Sequence, residues 1–571
     1  MTDESAGLPK RSGASVCEER QAWQRALGAM GRFAALRWLG LARLDDWVAL
    51  HAARRPHDDA VVGAERVLSW RDLDEAVERR GLELSRRSGL RSTHVVEADD
   101  AVDVLVDILA SQRRGLVPCL IPRDIPRYEA RRLIAAVAEL EQRTPDLTSL
   151  RDANVAANAG RGPDAMAFAP GVVKPAWGAL LASSGTTGTP KLVPIPHDRL
   201  LFSGHVISRA ALDLGPTDRV WCPLPLQHAT GLVVVAAACL VAGSALLLPR
   251  GFELAELRRA VSDQGATVMA YVAETLARCV QSEETYPALR GLRSVIGVGC
   301  DRELWRDLHR IAPSLRIREL YGATESPLAL LNLDGEPGAV GRIPRVLRRL
   351  VRVVRVEEES GALLRSPLGE LVSAQPGAPG ELLIRSQRVW GFSLGSYDGT
   401  LGGAPGPELV EDCPGGSRWL RTGDRVRMTS QGHVYFEGRV ADVLRIMGSN
   451  VSLAAVERGL SHCLAGRQYV AYGLNTSRGG AVLALGIVGA PPWERLHRAV
   501  VELPAPHRPR LVRVLSTLPR GPTLRVQRRL LVESPDGPRG TDLDSPRWVL
   551  SSCGYRPLTA SEYDAWLREL R

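Results

Sequence analysis

The chain has 571 residues, 45% of them apolar and 24% charged, with 73 basic side chains against 64 acidic ones and a net charge of +9. This is the composition of a soluble globular protein, and the length exceeds the roughly 250–300 residues at which single cores stop growing, so more than one domain is expected. Aromatics make up 5% and no basic–aromatic tract is visible; nucleic acid is therefore not an expected partner, and an anionic substrate or a membrane surface suits the positive charge equally well.

Nine cysteines run unpatterned from Cys17 to Cys553. With no Cys-x-x-Cys pair they point to a reducing compartment and argue against a zinc site. Residues 1–11 are polar, so no secretory signal is expected and the expected location is cytoplasmic.

Residues 1–45 read as an extension, polar to Cys17 and then helical. Within it, residues 32–43 (RFAALRWLGLAR) form a basic amphipathic pattern that suits a docked surface helix or a peripheral membrane contact. Ser69-Trp70-Arg71-Asp72-Leu73 begins a helix that runs to about Arg87, with Leu73, Val77 and Leu82 as its apolar positions. Apolar strands and amphipathic helices then alternate through the middle of the chain, which predicts α/β layers. Asp146 to Val172 reads as a loop. Leu232 to Leu248 is marginal in length for a membrane span and broken by Gly243-Ser244; it predicts a buried helix, a turn and a core strand. Arg345 to Val356 (RVLRRLVRVVRV) predicts a strand with arginines facing water. A new α/β pattern starts at Val443, the segment from Ser534 to Pro546 is rich in Pro, Gly and Asp, and a short helix is expected over 560–570.

The chemistry begins at Ser183-Ser184-Gly185-Thr186-Thr187-Gly188-Thr189-Pro190-Lys191. Lys191 is one of only three lysines among the 73 basic residues. Glycines such as Gly185 and Gly188 let a loop approach an anion closely. Its N–H groups and the hydroxyls of Ser184, Thr186 and Thr187 donate to phosphate oxygens, and the ammonium adds a compact charge. The spacing is not that of a Walker loop, since Lys191 follows proline and precedes Leu192. Tyr321-Gly322-Ala323-Thr324-Glu325 follows a predicted strand (Leu315 to Leu320), where α/β folds bind ligands. Tyr321 is suited to stack on a flat base and Glu325 to hold Mg²⁺ beside phosphates. In Trp419 to Asp424, a carboxylate follows a Thr-Gly turn and can accept both hydroxyls of a ribose diol.

These segments, in this order, resemble the adenylate-forming (AMP-binding) superfamily, which activates a carboxylate as an acyl-AMP. Further segments resemble the fatty acid transport protein and very-long-chain acyl-CoA synthetase branch: residues 223–228 (PLPLQH), 271–279 (YVAETLARC), Gly297-Val298-Gly299, 331–341 (LNLDGEPGAVG), 447–451 (MGSNV), 503–514 (LPAPHRPRLVRV) and 555–559 (YRPLT). The resemblance runs from about Trp47 to the last helix. It implies an α/β fold with a large N-terminal domain over 46–438 and a small mobile α+β lid over 439–571. The implied ligands are ATP, Mg²⁺, CoA and a small-molecule carboxylic acid, fatty or otherwise hydrophobic. Thr186, Thr187 and Lys191 would grip the ATP phosphates, while Gly297, Gly299, Tyr321 and Gly322 would lie at the nucleotide. Thr324 and Glu325 would meet the α-phosphate and Mg²⁺, Asp424 and Arg439 would hold the ribose, and His228 would face the carboxylate end of the acyl pocket.

The chain also departs from the family. Arg525, in Gly521-Pro522-Thr523-Leu524-Arg525, stands where the family places a lysine that contacts the carboxylate and the α-phosphate. Arginine keeps the charge but is bulkier and planar. Either adenylation persists with arginine, or the chain binds nucleotide with adenylation impaired. Ala441 stands at the hinge position, Ser326-Pro327 replaces the Gly-Asn of that branch, and the stretch between Arg91 and Asp103 is shorter and lacks the usual Gly-Asp turn. The acyl acceptor also stays open, with an amine or a carrier protein as alternatives to CoA. The sequence sets no oligomeric state.

Overall fold

A computed structural model describes residues 24, 28, 42–88, 92–122, 127–143, 177–183, 191–326, 328–357, 361–385, 408–413, 416–446, 449–475, 481–519, 526, 528–532, 546–551, 554–559, 561–563 and 565–566. The chain is α/β, as its strand–helix alternation predicts, and forms two compact units. Of the described residues, those from 24 to 183, those from 191 to 345 and Glu408 fall in the first; those from 346 to 385 and from 409 to 566 fall in the second.

The first unit opens with α1 (Leu44–Arg54), β1 (Asp59–Gly63), β2 (Val67–Ser69), α2 (Trp70–Ser88), β3 (Thr93–Val96), α3 (Ala101–Arg113), β4 (Val117–Leu120) and α4 (Arg127–Arg143). It continues through β5 (Trp177–Ser183), β6 (Lys191–Pro196), α5 (His197–Val206), β7 (Arg219–Trp221), α6 (Ala237–Ala242), β8 (Ala245–Leu248), α7 (Leu254–Ser262), β9 (Val268–Val272) and α8 (Ala273–Gln281). α9 (Tyr286–Gly291), β10 (Ser294–Val298), α10 (Arg302–Ile311), β11 (Arg316–Tyr321), β12 (Leu330–Leu331) and β13 (Gly341–Arg342) complete it.

Its main sheet has the order β12-β11-β10-β9-β7-β8-β1-β2. The pairs from β11 to β1 are parallel, and the two edges are antiparallel. Parallel strands covered on both faces read as unbroken apolar runs, and β8 (ALLL) is buried at every position. Side-chain alternation divides these strands between two cores. Val220, Leu246, Val268, Ala270 and Ile296 pack with α5 and α6, whereas Trp221, Leu247, Met269 and Val295 pack with residues of α7 to α10. A second sheet has the order β3-β4-β5-β6.

Local chemistry sets several element starts. Asp301 caps α10 by accepting from the Leu304 N–H at 2.8 Å. At the head of α2, Asp72 accepts from the Ser69 N–H at 3.0 Å while the Ser69 hydroxyl oxygen accepts from the Asp72 N–H at 3.2 Å. The buried stripe of α2 differs from the sequence expectation in one place: Leu73 and Val77 are buried, but Leu82 is 47% exposed and Leu84, at 3%, takes the core position. Residue 84 falls back on the 3.6-residue stripe that Leu82 leaves. The expected helix, turn and strand over 232–248 are present, with a π-helical stretch at Thr230–Ala236 before α6 and Gly243 left-handed at φ 72°. No helix among the described residues is long and apolar enough to cross a membrane. The 32–41 part of the basic amphipathic segment and the loop 146–172 lie outside those residues, as does most of 534–546.

The second unit contains the antiparallel strands β14 (Val351–Val354), β15 (Pro379–Arg385), β16 (Leu409–Glu411), β17 (Arg418–Met428) and β18 (His433–Arg439), in the order β14-β15-β17-β18 with β16 also on β17. The arginine-rich run is a strand only over β14; Arg345–Leu350 is a 3₁₀ helix. Arg352 does not simply face water, since it pairs with Asp412 at 2.6 Å and lies over the Trp419 ring. Next come the hairpin β19 (Val443–Ile446) and β20 (Ser449–Ser452) and helix α11 (Leu453–Leu460). The closing sheet is β21 (Tyr469–Asn475), β22 (Ala481–Val488), β23 (Leu511–Leu515), β24 (Arg547–Ser551) and β25 (Gly554–Leu558), with α12 (Trp493–Glu502) and α13 (Arg528–Val532). α11 and α12 cover one face of it, and Leu531 of α13 packs on the other with Tyr472 and Tyr563.

That last face holds a buried charge. Arg513 is 1% exposed, and among the described residues its Nε and one terminal nitrogen have no hydrogen-bond partner. Its register neighbour on β24 is another arginine, Arg547, which lies 4.3 Å over the Tyr563 ring. Burying a guanidinium with two of its nitrogens unsatisfied costs more than burying a thioether of similar length. Arg513→Met should leave stability unchanged or raise it by about 1–4 kcal/mol, read as the chemical-denaturation midpoint of the full chain. A lower midpoint would contradict this account.

Candidate active site

Ser183 ends β5 and Lys191 begins β6, and the two are register partners across that antiparallel pair. The residues between them, including Ser184, Gly185, Thr186, Thr187 and Gly188, lie outside the described residues. Lys191 is 5% exposed. Its Nζ lies 3.0 Å from Oε1 of Glu325, which also accepts from the Ser183 hydroxyl at 2.7 Å. Thus the start of β6, the end of β5 and the segment after β11 converge on one carboxylate. Burial alone would raise the Glu325 pKa, but the Lys191 charge and the Ser183 hydroxyl outweigh it and hold the carboxyl below its ordinary 4.5.

Thr324 is positioned through its backbone. Arg199, in the first turn of α5, donates to the Thr324 carbonyl at 2.6 Å and to that of Ala323 at 3.1 Å. Ser326 closes the segment by donating its hydroxyl to the Leu328 carbonyl at 2.7 Å and accepting from the Leu328 N–H at 3.3 Å. Gly297 lies near the carboxyl end of β10 and Tyr321 at that of β11, which pair in parallel. Gly299 and Gly322 follow those strands. This is the edge of an open α/β sheet where ligands bind. His228 lies in the loop after β7, half-buried, with its N–H on the Pro225 carbonyl at 3.1 Å.

In the second unit, Asp424 and Arg439 are register partners on β17 and β18, with Arg439 Nε 3.3 Å from Asp424 Oδ1. Asp424 lies within a bulge, because the β15–β17 register shifts between the Glu381–Arg425 and Leu383–Arg421 pairs. Gly423 is left-handed there at φ 67°. Buried Glu381 accepts from the Gly423 N–H at 3.1 Å and pairs with Arg421 at 2.6 Å. The Thr422 hydroxyl donates to the Leu382 carbonyl at 2.7 Å. Arg525 lies outside the described residues, and Ala441 lies in a 3₁₀ turn at Val440–Asp442.

The geometry therefore joins Lys191, Glu325 and the Thr324 backbone, sets the glycines and Tyr321 on one sheet edge, and joins Asp424 to Arg439. Arg199 and Glu381 act in these clusters without having been singled out from the sequence, and Ser183 does so as the first residue of the hydroxyl-rich run. Ser183 is legible as the hydroxyl opening the loop, whereas Arg199 and Glu381 carry no motif. The donor set fits a phosphate and a magnesium ion, since a buried ammonium and a hydroxyl face a carboxylate held ionised. Mg²⁺ commonly takes one or two carboxylates and completes its shell with phosphates and water. No cluster of three or more metal-ligating side chains occurs among the described residues.

Replacing Glu325 by Gln would leave Lys191 buried without its counter-charge. Glu325→Gln should cost about 3 kcal/mol at neutral pH, measured by denaturant midpoints. Because the folded-state carboxyl titrates below 4.5, its stabilisation is complete above that value and lost as the pH falls through the lower folded-state value. The difference between variant and wild type should therefore shrink in acid.

Residues 175–391 match the family model described as "AMP-binding enzyme". Long-chain fatty acid transport protein 5 of Mus musculus is 31% identical over 282 residues, covering 49% of this chain and 40% of that protein. The medium/long-chain-fatty-acid–CoA ligase FadD6 of Mycobacterium tuberculosis is 29% identical over 389 residues, covering 66% of this chain and 63% of that one. The chain thus spans less than two thirds of the length of either relative. Among solved structures, ATP-bound MatB from Rhodopseudomonas palustris superposes with a TM-score of 0.63 at 22% identity, covering 86% of this chain and 98% of that one. The fold is that of adenylate-forming ligases, and the resemblance carried by the sequence motifs is borne out.

Proposed function

We propose that the protein uses ATP and Mg²⁺ to activate a carboxylic acid, fatty or otherwise hydrophobic, as an acyl-AMP and passes the acyl group to CoA. The observation that carries this reading is the cluster of buried Lys191 with half-buried Glu325 and Ser183, lying within the segment that matches the AMP-binding family. In the proposed reaction, a carboxylate oxygen attacks the α-phosphorus and pyrophosphate leaves; the CoA thiolate then attacks the acyl carbon and AMP leaves. The protein's part is electrostatic and positional: Lys191 sets a compact positive charge beside the phosphoryl oxygens, and Thr324 and Glu325 border the α-phosphate. Bound magnesium, held by Glu325, would neutralise phosphate charge. Asp424 and Arg439 take the ribose, the loops at Gly297, Gly299, Tyr321 and Gly322 the adenine, and His228 the carboxylate end of the acyl pocket. Residues 439–571 act as the lid domain, with Arg525 in place of the family's lysine.

Purified protein with ATP, Mg²⁺, CoA and a panel of acids of graded chain length should release pyrophosphate. Silence across the panel removes the synthetase reading. Lys191→Ala should lower the rate about 100-fold or more, the scale expected for loss of one charge-stabilising donor in a water-poor site.

Arg525 favours a second reading, in which nucleotide binds without turnover. Arg525→Lys separates the two. A working synthetase keeps or raises its rate of adenylate formation with lysine at that position, whereas a non-catalytic binder retains ATP in calorimetry and stays silent in both forms. Replacing CoA by amine or carrier-protein acceptors in the same assay identifies where the acyl group goes.

A further inference from the structure

Glu319 lies in β11, two residues before Tyr321, and is only 2% exposed. Three donors converge on its carboxylate: the Tyr271 hydroxyl at 2.5 Å, the Gly299 N–H at 2.5 Å and the Cys300 N–H at 3.1 Å. Two of these belong to the glycine loop after β10. That loop has little side-chain mass with which to hold itself. Gly297 pairs in register with Tyr271 on one side and Glu319 on the other. A β-carbon at Gly297 would fall 2.0 Å from the Tyr271 carbonyl oxygen, and one at Gly299, left-handed at φ 93°, would fall 2.8 Å from the Ala273 β-carbon. The loop is thus packed down on β9 and α8 and fastened from the β11 side by a single carboxylate. Burial drives that carboxyl up to about 7, against the opposing pull of its three donors. An apolar side chain would serve the sheet at lower cost, so the carboxylate is best understood by what it holds.

We propose that Glu319, braced by Tyr271, is a positioning residue for nucleotide binding: it fixes the Gly297–Gly299 loop and the Tyr321 turn as the two walls of the slot that receives the adenine of ATP. This rests on the ATP-dependent reading above. Glu319 does not touch the base in this account; it acts through the loop, and its loss blurs the slot without altering the phosphate cluster. Glutamine in its place would turn an N–H donor toward one of three existing donors, releasing at least one of them. Tyr271→Phe removes one donor and keeps the ring.

The test measures KM for ATP, kcat, and the preference for ATP over GTP in wild type, Glu319→Gln and Tyr271→Phe. Glu319→Gln should raise KM for ATP about tenfold and erode the preference for ATP by a similar factor, with kcat changed less than about threefold. Tyr271→Phe should shift the same quantities in the same direction but less. A purely structural role would lower the melting temperature and leave KM and base preference within about twofold, and that outcome overturns the proposal. Should Glu319→Gln fail to fold, Tyr271→Phe decides alone by the same criterion. If the wild type binds ATP in calorimetry but turns over no acid, the synthetase reading fails, and Kd for ATP and GTP replaces KM in deciding this one. A wild type that binds no ATP overturns both.

Discussion

A lysine 5% exposed and a glutamate beside it cannot each be buried alone, because an isolated ion in a poorly solvated interior would lose its charge or open the fold to water. Their 3.0 Å contact therefore acts as a constraint on the first unit. Lys191 opens a strand of the four-stranded sheet, and Glu325 follows a strand of the eight-stranded one. For the pair to form, the two sheets must deliver those ends to the same place. Ser183 reinforces the meeting by donating to the same oxygen from the strand next to Lys191. The groups suited to phosphate and magnesium are thus also the groups that register one sheet against the other.

Both units repeat one device: a buried carboxylate accepts the N–H of a glycine that stands in left-handed backbone. Glu319 does so for Gly299, and Glu381 for Gly423. In each case a charged side chain within a strand restrains a turn that carries almost no side chain of its own, and a residue suited to a nucleotide stands close by, Tyr321 in one case and Asp424 in the other. Arg199 is the converse, a cation holding two carbonyls of the Thr324 segment. Glycine permits close approach but contributes no anchoring. Fixing such loops requires a partner from a neighbouring element, and burial makes that partner strong because no water competes for it.

The fold class and the segments that form the candidate site were legible because they obey local rules. Apolar strands alternate with amphipathic helices, glycine and hydroxyl residues cluster in short runs, and Tyr321 to Glu325 follow a strand directly. The supporting residues were not legible, since Arg199, Glu319 and Glu381 are single charged residues whose partners lie far away in sequence or belong to another strand. Periodicity also misled where helix and strand rules compete. In α2 the core takes Leu84 and leaves Leu82 in water. In the run from Arg345, dense arginines suggested one long strand, yet the first half coils as a 3₁₀ helix.

The chain's strong preference for arginine makes the identity of the buried cation at β6 instructive. An arginine spreads five donors over a plane, and a buried one needs several acceptors. Arg513 shows the consequence of lacking them, with two nitrogens unpaired among the described residues. Lys191 pairs with one carboxylate oxygen already shared with a serine hydroxyl. A compact ammonium can pair with that oxygen and still turn its remaining donors toward a phosphate, whereas a guanidinium would fill the space and fix its direction. The same reasoning bears on Arg525 with the opposite sign. An arginine there can serve adenylation only where its fork finds acceptors on both the carboxylate and the phosphate at once, so its planar geometry demands a wider approach of the two reactants than a lysine would.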